Sequence, residues 1–207
     1  MNDISIVTAV LNGANTISDC IDSVSKQNRA VEHVIIDGGS TDGTLEILEK
    51  HRSALARVVS EKDRGIYDGM NKGLDLVSGD IVGFMNADDL YNGPDILSKV
   101  VRVLEDSTVD ACYGDLVYVD PGATDRVVRY WKAGPFNYRR FYWGWMPPHP
   151  TFFVRKNVYE KYGYFNLALG SAADYELTLR FLLKYRARVL YIPEVLVKMR
   201  IGGLSNV

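Results

Sequence analysis

The first half of the chain alternates short strand patterns with helical patterns, and this alternation limits the possible folds more than any other feature. Apolar runs rich in Ile and Val predict strands buried on both faces at 4–11, 34–37 and 80–85. After the first run, an apolar helical stripe is formed by Ile17, Cys20, Ile21 and Val24. Strands that alternate with helices need crossover connections. We therefore expect an α/β fold with a mostly parallel central sheet and helices on both faces.

The second half of the chain has a different pattern. Residues 111–120 and 126–131 predict two antiparallel strands, because a Pro-Gly turn separates them. A helix is predicted around 171–185, followed by strands at 189–192 and 195–199. No internal repeat or low-complexity linker divides the chain. We therefore expect a single domain with a smaller antiparallel part in its second half.

Composition excludes several classes of protein. Lys and Arg number 24 against 26 Asp and Glu, and this balance argues against a nucleic-acid partner. Cys20 and Cys112 stand alone, so neither a disulfide framework nor a zinc site is indicated. No apolar run approaches the ~20 residues of a membrane span, and the N-terminus lacks the layout of a signal peptide. We expect a cytoplasmic protein.

Polar residues follow several of the predicted strands. Asn12 and Asp37 follow the first and second strands, and Asn86, Asp88 and Asp89 follow the strand at 80–85. In a parallel sheet such residues collect at one edge, where ligands bind. Carboxylate and amide oxygens suit Mg²⁺ or Mn²⁺. An equally good interpretation from spacing alone is that the two carboxylates cap the following turn.

Neither of the usual phosphate-binding glycine loops occurs in the sequence. Gly65, Gly69 and Gly73 do repeat every four residues. We interpret them as a helix face without side chains, which lets the helix approach the sheet closely. Phosphate would then be held through a divalent cation.

Five segments in order resemble the family 2 inverting glycosyltransferases, which have the GT-A fold. They are 5–12, 37–44, 63–73, Asn86-Ala87-Asp88-Asp89 and 173–177. Together they extend over nearly the whole chain. The run D-x-G-I-Y-D-x-M-N-K-G at 63–73 is similar to the branch that builds bacterial lipopolysaccharide and exopolysaccharide.

The resemblance implies a nucleotide-diphosphate sugar donor, with UDP favoured, bound by the half 1–110. The positions that match donor-binding residues are Ala9, Asn12, Asp37, Asp63, Asn71 and Asp88. Asp88 would lie near the ribose, and Asp89 would hold a Mg²⁺ or Mn²⁺ ion that bridges the diphosphate. Gly38 stands where relatives often carry a second aspartate that reads the base.

The half 111–207 would bind the acceptor and supply the catalytic base. Asp174 matches the residue that deprotonates the acceptor hydroxyl in the family. It also lies near the start of a predicted helix, where the helix dipole favours an ionised carboxylate able to act as a general base. Glu176 and Arg180 are four residues apart and predict an ion pair on the same helix.

The segment 136–146 contains six aromatic residues together with Arg139 and Arg140. Aromatic rings stack on sugar faces and Arg binds phosphate. We therefore predict acceptor contacts from Trp143 and Trp145, and from His149 just beyond the segment. Core packing explains about half of these rings equally well, and a lone His is more often structural.

We expect a metal-dependent transferase that works in cell-surface polysaccharide or lipopolysaccharide assembly. Its acceptor would be a saccharide or a lipid-linked saccharide, and relatives suggest a peripheral contact at the inner face of the cytoplasmic membrane. A sugar-phosphate nucleotidyltransferase is disfavoured, since its glycine-rich N-terminal loop is missing. A non-catalytic subunit that binds the nucleotide sugar is a further alternative.

Overall fold

A computed structural model of the protein describes residues 3–202. In the first half, strands and helices alternate as β1 (Ile4–Val10), α1 (Ile17–Ser25), β2 (Glu32–Asp37), α2 (Thr44–Lys50), β3 (Arg57–Ser60), α3 (Ile66–Leu76), β4 (Ile81–Phe84), β5 (Leu90–Tyr91) and α4 (Ile96–Leu104). The second half contains β6 (Ala111–Asp120), β7 (Ala123–Trp131), β8 (Phe153–Arg155), α5 (Lys156–Tyr162), α6 (Ala173–Leu179) and β9 (Val189–Arg200). The expected α/β class is confirmed.

The strands form one sheet in the order β3-β2-β1-β4-β8-β6-β9-β5, with β7 paired to β6. Strands β1 to β4 pair in parallel, whereas β8, β7 and β5 pair antiparallel with their neighbours. Val10 lies opposite Asp37 and Val7 lies opposite Phe84. The carboxyl ends of β1, β2 and β4 therefore open on the same edge of the sheet.

Helices cover both faces of the sheet, as the sequence predicts. On one face, α1, α2 and α4 pack against Ile4, Ile6 and Val10 of β1. On the other face, α3, α5 and α6 share a core with Val7 and Ala9 of the same strand. Residues of β1 alternate between the two cores because successive side chains of a strand point to opposite faces.

Gly69 and Gly73 let α3 approach the sheet closely, which confirms the interpretation of the glycine spacing for these two residues, whereas a Cβ at Gly65 would meet no atom within 4 Å. A Cβ atom at Gly73 would lie 2.2 Å from Cγ1 of Val7, and one at Gly69 would lie 3.0 Å from Cβ of Ala9. Gly65 precedes the helix at a φ of +115°, which glycine adopts without steric cost.

The second half departs from the sequence prediction in three places. The strands predicted at 189–192 and 195–199 are one continuous strand, β9, and a bulge beside Gly114 and Asp115 of β6 absorbs the residues between them. The predicted helix at 171–185 comprises α6 and a π-helical turn at Arg180–Lys184, after a 3-10 segment at Leu167–Ala172. Strand β8 and helix α5 are not predicted. A three-residue strand gives no periodicity to recognise.

Candidate active site

Two neighbouring chambers open at the carboxyl edge of the parallel strands. The first has a volume of about 450 Å³ and the second about 540 Å³. Three residues, Ile66, Asn86 and Met199, line both chambers. A molecule bound in one chamber would therefore lie next to a molecule bound in the other.

Four of the predicted donor-binding residues line the first chamber: Ala9, Asn12, Asp63 and Asp88. Asn12 takes a left-handed conformation, with a φ of 54°, which Asn adopts more readily than most residues. Its side-chain Oδ1 accepts a hydrogen bond of 2.9 Å from the Thr41 amide, and its own amide donates to Oγ of Ser40 at 2.8 Å. Asn12 thus joins the loop after β1 to the loop after β2.

Asp37 organises the second of these loops. Its carboxylate is fully buried, and it accepts hydrogen bonds from the amides of Gly39 and Ser40 and from the Ser60 hydroxyl at 2.7 Å. It is not among the residues that line the first chamber. Its predicted contact with a donor stays a prediction.

Asp63 occupies the space in front of Gly38. A Cβ atom at Gly38 would lie 2.6 Å from Oδ2 of Asp63, while Oδ1 accepts a hydrogen bond from the Gly65 amide at 3.0 Å. A carboxylate is therefore present beside the position where relatives often carry a second aspartate, although it comes from the segment before α3.

Asn71 connects α3 to the chain beyond α5. Its Nδ2 donates to the Phe165 carbonyl and its Oδ1 accepts from the Phe165 amide, each at 3.0 Å. Phe165 in turn packs edge-on against Phe84 and His149. Asn71 thus holds Phe165 against His149, which lines the second chamber, but Asn71 itself lines neither chamber. Its predicted contact with a donor stays a prediction.

Asp88 and Asp89 follow β4 in different environments. Asp88 lines the first chamber, and burial raises the pKa of its carboxyl. Asp89 is fully buried, and burial together with the negative charge of Asp88 holds its pKa well above the usual value. Its Oδ2 accepts a hydrogen bond of 2.8 Å from Asn86, whereas its Oδ1 is buried without a hydrogen-bond partner among residues 3–202.

The oxygens of this pair are of the type that a divalent cation binds, although Asp88 lines the first chamber and Asp89 lines neither. A buried carboxylate oxygen without a partner is costly, and hard oxygen ligands are those that Mg²⁺ and Mn²⁺ prefer. Within residues 3–202 no cluster of three or more His, Cys, Asp or Glu side chains could hold a metal. A cation at Asp88 and Asp89 would therefore need further ligands from a bound molecule or water.

Arg200 is a buried residue of this site that the sequence does not reveal. Its Nη1 donates to the Asp88 carbonyl at 2.7 Å and its Nε to the Pro121 carbonyl at 3.3 Å, and its Nη2 is paired with the Asp19 carboxylate. It thus ties the loop after β4 to the β6–β7 turn and to α1. The sequence offers only a cation at the end of a strand pattern.

Asp174 lines the second chamber, in the first turn of α6. Burial raises the pKa of the Tyr67 hydroxyl, and the Asp174 carboxylate raises it further by its charge and by accepting a hydrogen bond. His149 lines the same chamber, and its Nε2 is buried without a hydrogen-bond partner in the described part of the chain. Burial lowers the pKa of His149, against the opposing charge of Asp174. A carboxylate, a phenol and a neutral imidazole thus meet in one cavity.

The structure does not bring Trp143 or Trp145 to the lining of either chamber. Trp143 is 89% exposed. Trp145 packs edge-on against Phe141, and its Nε1 donates to the Ala133 carbonyl at 3.0 Å. Part of segment 136–146 is therefore core.

Other rings line the second chamber: Tyr67, Tyr118, Trp131 and Tyr175. They come from α3, β6, β7 and α6, so their proximity depends on the fold. Glu176 forms the predicted ion pair, since Arg180 donates to its two carboxylate oxygens at 2.8 and 2.9 Å.

Comparison with solved structures identifies the fold. Residues 1–349 of Staphylococcus aureus TarS, in complex with UDP-GlcNAc, superpose with a TM-score of 0.79 and 22% identity over 96% of this chain and 58% of that one. The mannosyltransferase PcManGT of Pyrobaculum calidifontis, in complex with GDP-Man and Mn²⁺, gives 0.72 and 21% over 99% and 60%. The chain thus spans less than two thirds of either solved chain. The expected GT-A fold is confirmed.

Relatives and a family model identify the class of enzyme. The chain is 30% identical over 208 residues to a PGL/p-HBAD biosynthesis glycosyltransferase of Mycobacterium bovis BCG, covering 98% of this chain and 78% of the relative. An uncharacterized glycosyltransferase of Mycobacterium tuberculosis is 32% identical over 183 residues, covering 86% and 68%. The model of glycosyl transferase family 2 matches residues 5–163. The chain therefore belongs to glycosyl transferase family 2 and is a glycosyltransferase.

Proposed function

We propose that the protein is a metal-dependent inverting transferase that moves a sugar from a nucleotide-diphosphate donor to an acceptor hydroxyl. In this proposal the half 1–110 binds donor and metal, and the half 111–207 binds a saccharide or lipid-linked saccharide acceptor. The reaction takes place in the cytoplasm, in cell-surface polysaccharide or lipopolysaccharide assembly. The observation that carries the proposal is that Asp174 lies in a chamber that shares three lining residues with the chamber of Asp63 and Asp88.

The first chamber suits the nucleotide. Asn12, Asp63 and Asp88 offer side-chain hydrogen-bond acceptors or donors at its lining, and Ala9 contributes a small apolar side chain. The TarS structures hold UDP and UDP-GlcNAc, and the PcManGT structure holds GDP-Man with Mn²⁺. UDP is the first nucleotide to test on this chain.

Asp88 and Asp89 are the residues that would hold the cation. When bound, a divalent cation supplies charge neutralisation for the departing nucleotide diphosphate. Arg200 fixes the backbone of this loop through the Asp88 carbonyl, so the backbone that carries the two carboxylates is held in place before any ligand arrives.

Asp174 is the proposed general base. Its carboxylate takes the proton of the acceptor hydroxyl while the acceptor oxygen bonds to the anomeric carbon of the donor sugar. The bond from that carbon to the phosphate oxygen breaks, and its electron pair leaves with the nucleotide diphosphate. Attack from the side opposite the leaving group inverts the anomeric centre. Tyr67 lines the same chamber, and the negative charge of Asp174 contributes to raising the pKa of its hydroxyl.

Replacement of Asp174 by Asn tests this role. The amide keeps the size of the side chain but cannot take the proton, so turnover should fall by ~10²–10⁴ while donor affinity stays close to that of the wild type. The matched control is Glu176→Gln, two residues further along α6. Its carboxylate is engaged by Arg180, so turnover should change by less than about threefold, within the modest effect of a partly exposed ion pair.

Turnover is measured as release of nucleotide diphosphate from a UDP-sugar with Mn²⁺ and an accepted saccharide, and donor affinity by calorimetry. Retention of more than about a tenth of wild-type turnover in Asp174→Asn would place the base elsewhere, since the expected loss is far larger. Release of pyrophosphate from UTP and a sugar phosphate would identify a nucleotidyltransferase instead. Donor binding without turnover under all conditions would point to a binding subunit.

A further inference from the structure

Positive charge is concentrated in one stretch of the chain. Residues 126–150 contain five Lys or Arg and no Asp or Glu. Since the whole chain carries a net charge of −2, the remaining residues carry −7. This stretch would be attracted to an anionic surface that repels the rest of the protein.

Within this stretch, residues 134–145 form a loop with an inner and an outer side, which we name the aromatic loop. On the inner side, Phe141 is buried, and Arg140 and Trp145 each donate to the Ala133 carbonyl at 3.0 Å. On the outer side, Tyr142 is 79% exposed and Trp143 is 89% exposed. The inner contacts fix the loop, so the outer rings are presented to solvent from a rigid base.

Two cations lie beside Tyr138, a further exposed ring of the aromatic loop. The guanidinium carbons of Arg139 and Arg186 lie 5.9 and 6.0 Å from the centre of the Tyr138 ring. In the described part of the chain, none of Lys132, Arg139, Arg140 and Arg186 forms an ion pair with a carboxylate. Surfaces that bind at a membrane–water interface typically combine exposed Trp and Tyr with Arg that forms no ion pair.

We propose that the aromatic loop binds the surface of an anionic phospholipid bilayer, with Tyr142 and Trp143 at the headgroup level and Arg139 on the phosphates. A second copy of the chain is a poorer occupant, because two such loops would bring cation against cation. Among residues 3–202 no helix is long and apolar enough to cross a membrane, so the described part would bind at the surface.

The loop also lies next to the acceptor chamber of the proposed function. The Tyr175 hydroxyl donates to the Phe141 carbonyl at 3.0 Å, and Tyr175 lines the second chamber beside Asp174. Binding through the aromatic loop would therefore hold that chamber close to the membrane surface. Vesicle binding needs neither donor nor acceptor, so this inference and the proposed sugar transfer fail independently.

Co-sedimentation with vesicles tests the inference. Vesicles of phosphatidylglycerol with phosphatidylcholine are compared with vesicles of phosphatidylcholine alone. Arg139→Gln should weaken binding to the anionic vesicles about fivefold, the effect of about 1 kcal/mol for one cation near such a surface. Trp143→Ala should weaken it by at least about tenfold, since a large ring leaves the interface. The matched controls are Lys50→Gln and Leu45→Ala, an exposed cation and an exposed apolar residue of α2.

The wild type should bind the anionic vesicles, lose binding as salt is raised, and show a blue shift of tryptophan emission that Trp143→Phe removes. The control variants should bind as the wild type does. Equal binding by Trp143→Ala and the wild type would overturn the inference. Equal binding of the wild type to vesicles with and without phosphatidylglycerol would also overturn it. The inference would also be overturned if the wild type did not bind vesicles but self-associated in light scattering, and if Trp143→Ala abolished that self-association. The aromatic loop would then bind a second copy of the chain.

Discussion

Replacement of Asp89 by Asn should make the metal-free protein more stable. The wild-type carboxylate is fully buried with one oxygen lacking a hydrogen-bond partner among the described residues. Asn keeps the acceptor for Asn86 and removes the buried negative charge next to Asp88. A buried polar group without a hydrogen bond costs about 1–3 kcal/mol, and more when it is charged. Because the Asn amide would also lack a partner at this position, the gain comes from removing the charge. We expect a gain of about 1–3 kcal/mol in the free energy of unfolding, or about 2–4 °C in Tm per kcal/mol.

Bound Mn²⁺ and UDP should make the wild type more stable than Asp89→Asn. With Mn²⁺ and UDP at about 100 times their Kd, binding stabilises the wild type by about 2.7 kcal/mol, whereas Asp89→Asn should gain far less. Thermal unfolding is recorded for both proteins with EDTA, with Mn²⁺ alone, and with Mn²⁺ and UDP. Asp125→Asn serves as the control, since its side chain is 98% exposed and its ion pair with Lys198 contributes little.

The stability difference between Asp89→Asn and the wild type should depend on pH in a direction set by the pKa of Asp89. Because the pKa of Asp89 in the folded state lies above its unfolded value near 3.9, the destabilisation is complete above the folded pKa. It shrinks as pH falls below that value and is gone only below the unfolded pKa. The stability difference between variant and wild type should therefore shrink on acidification. A variant less stable than the wild type in EDTA at pH 7, or an equal gain from Mn²⁺ and UDP in both, would refute the reasoning.

Two further predictions concern packing. In Gly73→Ala the new Cβ would lie 2.2 Å from a methyl of Val7, so overpacking of about 1–3 kcal/mol should exceed the ~1 kcal/mol that Ala gains in a helix. Urea unfolding should show a loss of stability that a second substitution, Val7→Ala, partly restores. A Gly73→Ala protein as stable as the wild type would contradict the close approach of α3 to the sheet. By the same measurement, Trp145→Ala should lower the free energy of unfolding by ~3–5 kcal/mol, whereas Trp143→Ala should lower it by less than about 0.5 kcal/mol. Similar losses in both variants would mean that the two rings share one environment.

The features that the sequence predicts well depend on local patterns. Strands β1, β2 and β4 appear as apolar runs because both of their faces are buried, and α1 shows its stripe because one face alone meets the core. The glycines of α3 were interpretable for the same reason, since a repeat of four residues marks one side of a helix. Residues directly after such strands, Asn12 and Asp88 among them, could then be placed at one edge.

Features that depend on distant partners could not be predicted. Arg200 binds groups from three separate elements, and nothing near it in the chain indicates them. The different environments of the two tryptophans of the aromatic loop could not be predicted either. Trp143 faces solvent and Trp145 faces Phe141, yet they lie two residues apart in a 3-10 turn and its exit, where no regular period separates inside from outside.

Asp63 shows how one position can only be understood through the fold. Its carboxylate lies where a side chain at Gly38 would begin, and a Cβ at Gly69 would lie 3.4 Å from its Oδ2. The absence of a side chain at Gly38 leaves the space in which Asp63 reaches the lining of the first chamber, whereas 3.4 Å at Gly69 is an ordinary contact. Gly38 alone suggests that a carboxylate has been lost from the family pattern. Together with Asp63 and α3 it shows that a carboxylate stands at that wall and that the missing side chain at Gly38 makes room for it.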